Sequence, residues 1–177
     1  MAAATASYDS LLAELAIPHR AKYAYRELLK RRLASWPAVR RGLRHANADV
    51  RYWCCQYLDR FLEPESLAEL ISMLDDPDAR VRVSTLHTLS CDRCKEGDCR
   101  PEQKDVLPRA MCLLARDPDA HVRAHAVGLV GQWVHTNAEA LAAIARAIEA
   151  DSSPAVRKKA KWYAPGGARY ERTRPAA

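Results

Sequence analysis

A chain of 177 residues, 49% hydrophobic and 28% charged, is long enough for one folded domain and too apolar to be disordered. Its net charge of +6 is uneven: residues 19–61 carry +8, residues 62–151 carry −6 and residues 152–177 carry +6. No run approaches the roughly 18 apolar residues of a membrane span, and Met1 to Leu15 lacks a basic segment followed by an apolar core, so the reading is a cytoplasmic protein with no membrane contact.

One Phe and six Gly in a chain rich in Ala, Leu and Arg favour helices over strands. Residues 1–35 read as one or two helices broken near Pro18, with Leu11, Leu12 and Leu15, then Tyr25, Leu28 and Leu29, as apolar faces. These helices are expected to cap the segment after residue 35.

From residue 36 to 165 the chain repeats. Val-Arg pairs stand at Val50-Arg51, Val81-Arg82, Val122-Arg123 and Val156-Arg157. The second and third follow Asp76-Pro77-Asp78-Ala79 and Asp117-Pro118-Asp119-Ala120. Four residues after each Val come Cys54, Thr85, Ala126 and Ala160, and eight after come Leu58, Leu89, Val130 and Ala164. These offsets share one side of a helix, and the Asp-Pro strings suit a helix start. Upstream of each Val lies a second apolar face: Trp36, Val39 and Leu43; Leu67, Leu70, Ile71 and Leu74; Met111 and Leu114; Leu141, Ile144, Ala145 and Ile148. Thr136 and Glu139 match a capping box before the last of these. Each unit is predicted to be helix, turn, helix. Pro165-Gly166-Gly167 ends the last one, leaving residues 166–177 as a flexible tail.

The Asp-Pro-Asp-x-x-Val-Arg strings and the helix register after them resemble the HEAT repeat, in its short bacterial, phycobilin-lyase-like form. The resemblance implies an all-α solenoid of about four helical hairpins, which buries each unit's apolar face on its neighbours. It also implies that the turn Asp and the Val-Arg arginine form a ladder between units, a role suited to the planar guanidinium fork. In HEAT solenoids the second helices line a concave surface. That makes Tyr52, Trp53, Gln56, His125, Lys158, Lys159 and Trp162 the candidate partner-binding residues, with aromatic side chains as anchors.

The interval from Val81 to Val122 is longer than the others, and the extra residues, within 90–105, contain Cys91, Cys94 and Cys99. A C-x2-C-x4-C spacing with His87 one helical turn upstream is the pattern of a structural zinc knuckle of His87, Cys91, Cys94 and Cys99, with Cys112 as a second candidate for the fourth ligand. A reversible disulfide and an ordinary loop are the other two readings of the same residues. Cys54, Cys55 and Cys112 fall within helices and read as core or groove residues.

Signatures of catalysis are missing: no glycine-rich phosphate loop, no serine elbow and no H-E-x-x-H. Two families of enzymes on similar repeats, bilin lyases and alkylpurine DNA glycosylases, remain comparators. For the second, Asp59 lies six residues beyond Trp53, but no catalytic pair maps onto the chain. The expectation is a non-enzymatic scaffold or adaptor whose partner is a protein. The alternative is a nucleic-acid-binding solenoid related to HEAT-like DNA glycosylases.

Overall fold

The computed structural model describes residues 6–91 and 99–175. Among them every regular element is helical, and the chain divides into two compact units, Met1–Cys99 and Arg100–Ala177. Each is a stack of helical hairpins, so the all-α solenoid architecture expected from the repeats is present.

The first unit holds α1 (Tyr8–Leu15), α2 (Pro18–Lys30), α3 (Trp36–Gly42), α4 (Ala48–Leu58), α5 (Pro64–Ser72) and α6 (Ala79–Ser90). Pro18 is the first residue of α2, where its missing N–H costs no helical bond. Leu11, Leu12, Leu15 and Leu28 are buried, and α1 and α2 pack on α3 and α4, capping the first hairpin. The two second helices, α4 and α6, pack side by side. Gly42 lets α3 approach α4 closely: a Cβ there would run into Cys54 Sγ, with Leu12 Cδ2 at 3.1 Å. Arg32, in the turn between α2 and α3, has a left-handed φ of 50°, and its carbonyl accepts from the buried Tyr57 hydroxyl.

The second unit holds α7 (Gln103–Arg116), α8 (Ala120–Val130), α9 (Ala138–Ala150), α10 (Pro154–Lys161) and α11 (Ala168–Arg172). First helices α7 and α9 pack together, as do second helices α8 and α10. Residues 166–177, read from sequence as a flexible tail, carry α11. The N–H groups of Arg169 and Tyr170 both donate to the Trp162 carbonyl, and His135 Nε2 lies 3.0 Å from the Tyr170 carbonyl oxygen.

The repeat register holds in atomic detail. Val50, Val81, Val122 and Val156 are fully buried, as are Cys54, Thr85, Ala126 and Ala160 four residues on. The upstream faces differ slightly from expectation: Ala145 is exposed, and α9 buries Ala140, Ala143, Ile144 and Ala147 instead. The helix starts differ too. Asp78 and Asp119, the second Asp of each string, are the N-caps, accepting from Arg80 and His121. The first Asp instead closes the turn: Asp76 accepts from Asp78 N and Asp117 from Asp119 N. Before α9 the cap is Asn137, which accepts from Ala140 N, so the helix starts one residue later than Thr136 would place it.

The four Val-Arg arginines share one role. Nη1 of Arg51 donates to the carbonyls of His45 and Ala46, that of Arg82 to Asp76 and Pro77, that of Arg123 to Asp117 and Pro118, and that of Arg157 to Asp151 and Ser152. The free fork of Arg51 grips Asp76 of the next turn at 2.6 and 2.9 Å, and that of Arg123 grips Asp151 at 2.8 and 3.0 Å. These are the rungs that the family resemblance implies, one within each unit.

Candidate functional site

Side chains that helix stacking does not consume are the ones available for function. On α4, Tyr52 and Trp53 face away from Val50 and are half-buried. Tyr25 of α2 packs against Trp53 with ring centroids 5.0 Å apart, and Tyr52 meets it edge-on at 5.3 Å. Aromatic pairs of this geometry hold their rings in place beyond what burial alone achieves. Trp53 is thus partly anchored by the capping helix and partly open. Gln56 is committed to the stack, since its Nε2 donates to Ser84 Oγ of α6 at 2.9 Å and its carbonyl accepts from Tyr25. Ser84, on the outward side by its spacing, is therefore buried between helices.

In the second unit, His125 on α8 is half-buried, Lys158 is exposed and Lys159 half-buried on α10, and Trp162 is 44% exposed. The tail turn closes on the backbone of Trp162 and leaves its ring accessible: a Cβ on Gly167 would meet the carbonyls of Lys161 and Trp162. Burial lowers the Lys159 pKa, and the charge of Arg169 lowers it further. A negative group brought to this face would relieve that penalty. The cleft between α7 and α9, lined by Met111, Leu114, Ala143 and Ala147, holds about 260 Å³, below the usual size of a small-molecule site.

The basic stretch at 19–61 is largely compensated within its own unit. Arg20 pairs with Glu14, Lys30 with Glu27, Arg41 with Asp9, and both Arg40 and Arg44 with Glu69. Together with Arg51 on Asp76, at least six of its eleven Lys/Arg side chains have carboxylate partners.

Of the four residues in the expected zinc knuckle, Cys94 lies outside the described residues. Cys91 and Cys99 are half-buried, and His87 ends the outward face of α6. His87 and Cys91 are brought together with a residue not in that set, Asp59: one ligand atom from each of the three lies within 4.8 Å of the others. Asp59 is 7% exposed, and its Oδ2 stands 3.6 Å from His87 Nε2. The signal for it lies in the repeat register. Gln56, six residues after its Val, meets Ser84, three after the next. By the same shift Asp59, nine after Val50, meets His87, six after Val81. Cys54 and Cys55 are fully buried, whereas Cys112, grouped with them from the sequence, is exposed.

The family profile for HEAT repeats matches residues 36–111. No curated protein sequence matches the chain. Among solved structures, a designed armadillo repeat protein in complex with the peptide (KR)4 superposes with a TM-score of 0.60 at 16% identity, covering 89% of this chain and 80% of its own. At that identity the likeness is one of fold.

Proposed function

We infer, from a chain that is a HEAT-repeat protein, that it works by holding a protein segment against the exposed faces of its second helices rather than by turning over a substrate. The observation that carries this reading is Trp53, set between Tyr25 and Tyr52 on a helix face that the stack does not bury. A rigid, half-open indole is the kind of side chain that dominates binding energy at protein interfaces. The exposed ring of Trp162 beside Lys158 and Lys159 supplies a second contact of similar type in the other unit.

Charge argues for an acidic segment. The solved structure holds a basic peptide, (KR)4, whereas the last turn of α10 in this chain bears Lys158, Lys159 and Lys161. A carboxylate-bearing partner satisfies these lysines, including the partly desolvated Lys159. The pairing of so many basic side chains in residues 19–61 with carboxylates of the same unit weakens the case for a phosphate-backbone track there.

A panel of acidic, neutral and basic peptides, read by intrinsic tryptophan fluorescence, tests this. Acidic peptides containing an apolar residue are expected to bind the wild-type chain. Trp53→Ala is expected to weaken them by at least about thirtyfold, the loss of one anchor residue, with helicity unchanged. Binding that survives both Trp53→Ala and Trp162→Ala overturns the assignment of the face. Tight binding of duplex DNA that falls by orders of magnitude between low and moderate salt replaces the protein reading with the nucleic-acid one.

A further inference from the structure

The helix stack brings a carboxylate, an imidazole and a thiol to one place. Asp59 is the C-cap of α4, and Cys91 is the C-cap of the neighbouring α6, with His87 one turn before it. The two helix ends are tied together where Thr88 Oγ1 donates to the Cys55 carbonyl at 3.1 Å, and within α6 the Cys91 N–H donates to the His87 carbonyl at 2.8 Å, which fixes Cys91 against the last turn. Three side chains with different ligand atoms therefore sit on a rigid frame, within 4.8 Å of one another.

We propose that Asp59, His87 and Cys91 form a binding site for one divalent transition-metal ion of the zinc class. Distance supports it. The 3.6 Å between Asp59 Oδ2 and His87 Nε2 is too long for a hydrogen bond. Two oxygen or nitrogen ligands on a tetrahedral zinc, each bonded at about 2.1 Å, stand about 3.4 Å apart, and a sulfur ligand stands about 3.6 Å from either. The pair is at coordination spacing already, and small rotamer shifts bring the thiol into range.

Charge supports it as well. A dication with one carboxylate, one thiolate and one neutral imidazole is neutral overall, which suits a site whose carboxylate is 7% exposed. The C-terminal ends of α4 and α6, with 11 and 12 residues, add two negative helix-dipole poles that favour a cation. The mixed oxygen, nitrogen and sulfur donors select zinc, cobalt or a similar borderline ion over magnesium or calcium. Binding displaces the Cys91 thiol proton to solvent and leaves the sulfur as thiolate. Three protein ligands leave one corner of the tetrahedron for water, and the 43% exposed side chain of His87 gives that corner access to solvent. This set differs from a knuckle made by the cysteine-rich segment itself, because one ligand comes from the preceding hairpin.

The test is cobalt titration of the full chain after chelator treatment, reading the thiolate-to-cobalt charge-transfer band in the near ultraviolet, followed by zinc competition. One cobalt per chain with a thiolate band, displaced by zinc, is expected. His87→Ala, at a half-exposed position, and Asp59→Asn are each expected to weaken the ion by at least about a hundredfold, since even outer-shell changes cost ten- to a hundredfold. Cys91→Ser should abolish the band, and Cys94→Ser with Cys99→Ser should retain it. Zinc should raise the Tm of the wild-type chain and leave that of His87→Ala unmoved, with equal far-ultraviolet circular dichroism as the fold control. No band at stoichiometric cobalt overturns the site. So does a band that persists in His87→Ala and Asp59→Asn yet vanishes in the Cys94→Ser, Cys99→Ser double variant.

Discussion

Arg51 Nε and Nη2 donate to the two carboxylate oxygens of Asp76 at 2.6 and 2.9 Å, and only 11% and 3% of the two side chains remain exposed. The same guanidinium holds its own turn through Nη1. Asp76→Ala leaves a buried cation without its partner, so the first unit is expected to lose about 3 kcal/mol. Asp9→Ala, which breaks the exposed pair with Arg41, should leave stability unchanged within error. Urea denaturation of the two variants beside the wild type reads the difference; equal midpoints would mean the rung contributes nothing.

Acid should loosen the same frame. The Arg40 hydrogen bond holds Glu69 below its ordinary 4.5, with burial opposing and Arg44 adding to the effect. The Arg80 fork lowers Asp78 from 3.8. Burial raises Asp151, and the Arg123 fork and the Ser153 N–H outweigh it, so it too ends below 3.8. Folded-state values below the unfolded ones mean that the unfolded chain takes up protons first on acidification. The stabilisation is thus complete above about pH 5 and is lost as pH falls through the lowered carboxylate values. Tm should be flat between neutrality and that point, then drop. Glu69→Gln should start lower and drop less; a parallel curve would show that Glu69 is not among the titrating groups.

Gly42 and Gly131 are sites where a methyl group does not fit. A Cβ on Gly131 would enter the Tyr163 ring, and one on Gly42 would strike Cys54 Sγ. Both glycines end helices with right-handed rather than left-handed backbone, where an alanine is ordinarily favoured, so the sign is informative. Here each substitution is expected to cost about 1–3 kcal/mol as overpacking, measurable as a fall in thermal midpoint. A gain at either site would show that the neighbouring ring or thiol moves aside.

Thiol chemistry separates the cysteines. Burial pushes the Cys55 thiol up to about 12, against a hydrogen bond with Thr85 that lowers it, and burial pushes Cys54 well above its usual range. At pH 8 about one Cys55 in ten thousand is thiolate, and it is shielded besides. Native protein treated with an alkylating reagent and mapped by mass spectrometry should carry label on exposed Cys112 and none on Cys54 or Cys55. All should label in urea. Early labelling of Cys55 would mean that α4 opens without global unfolding.

Much of the fold can be read from residue spacing, because the Val-Arg register is imposed by packing that repeats. Val50, Val81, Val122 and Val156 share one environment, and so do the residues four places on. Local chemistry is harder to place. In Asp76-Pro77-Asp78 both carboxylates are able to cap, and only the folded turn shows that Asp78 caps while Asp76 receives the arginine of the preceding repeat. The tail carries no periodic signal, since α11 is only five residues long and is held by backbone bonds to Trp162 rather than by an apolar stripe. Spacing along the chain sets Asp59 beside Trp53 alone. Its actual companion, His87, lies in the next repeat, and the three-residue register shift between second helices is a tertiary quantity that the linear spacing does not contain.

The ladder also has a polarity. Arg51 and Arg123 each fasten the turn behind them through Nη1 and reach forward to the turn ahead through the remaining fork, so along the chain each repeat supplies the donor and the next turn the acceptor. The first turn uses a different acceptor: His45 Nδ1 accepts from Asn47 N at 3.0 Å, where Asp76, Asp117 and Asp151 use a carboxylate. The imidazole preserves the turn but offers an incoming guanidinium no anionic partner. A further hairpin grafted ahead of α3 would find an imidazole at this turn position where the later turns present a carboxylate to the arginine.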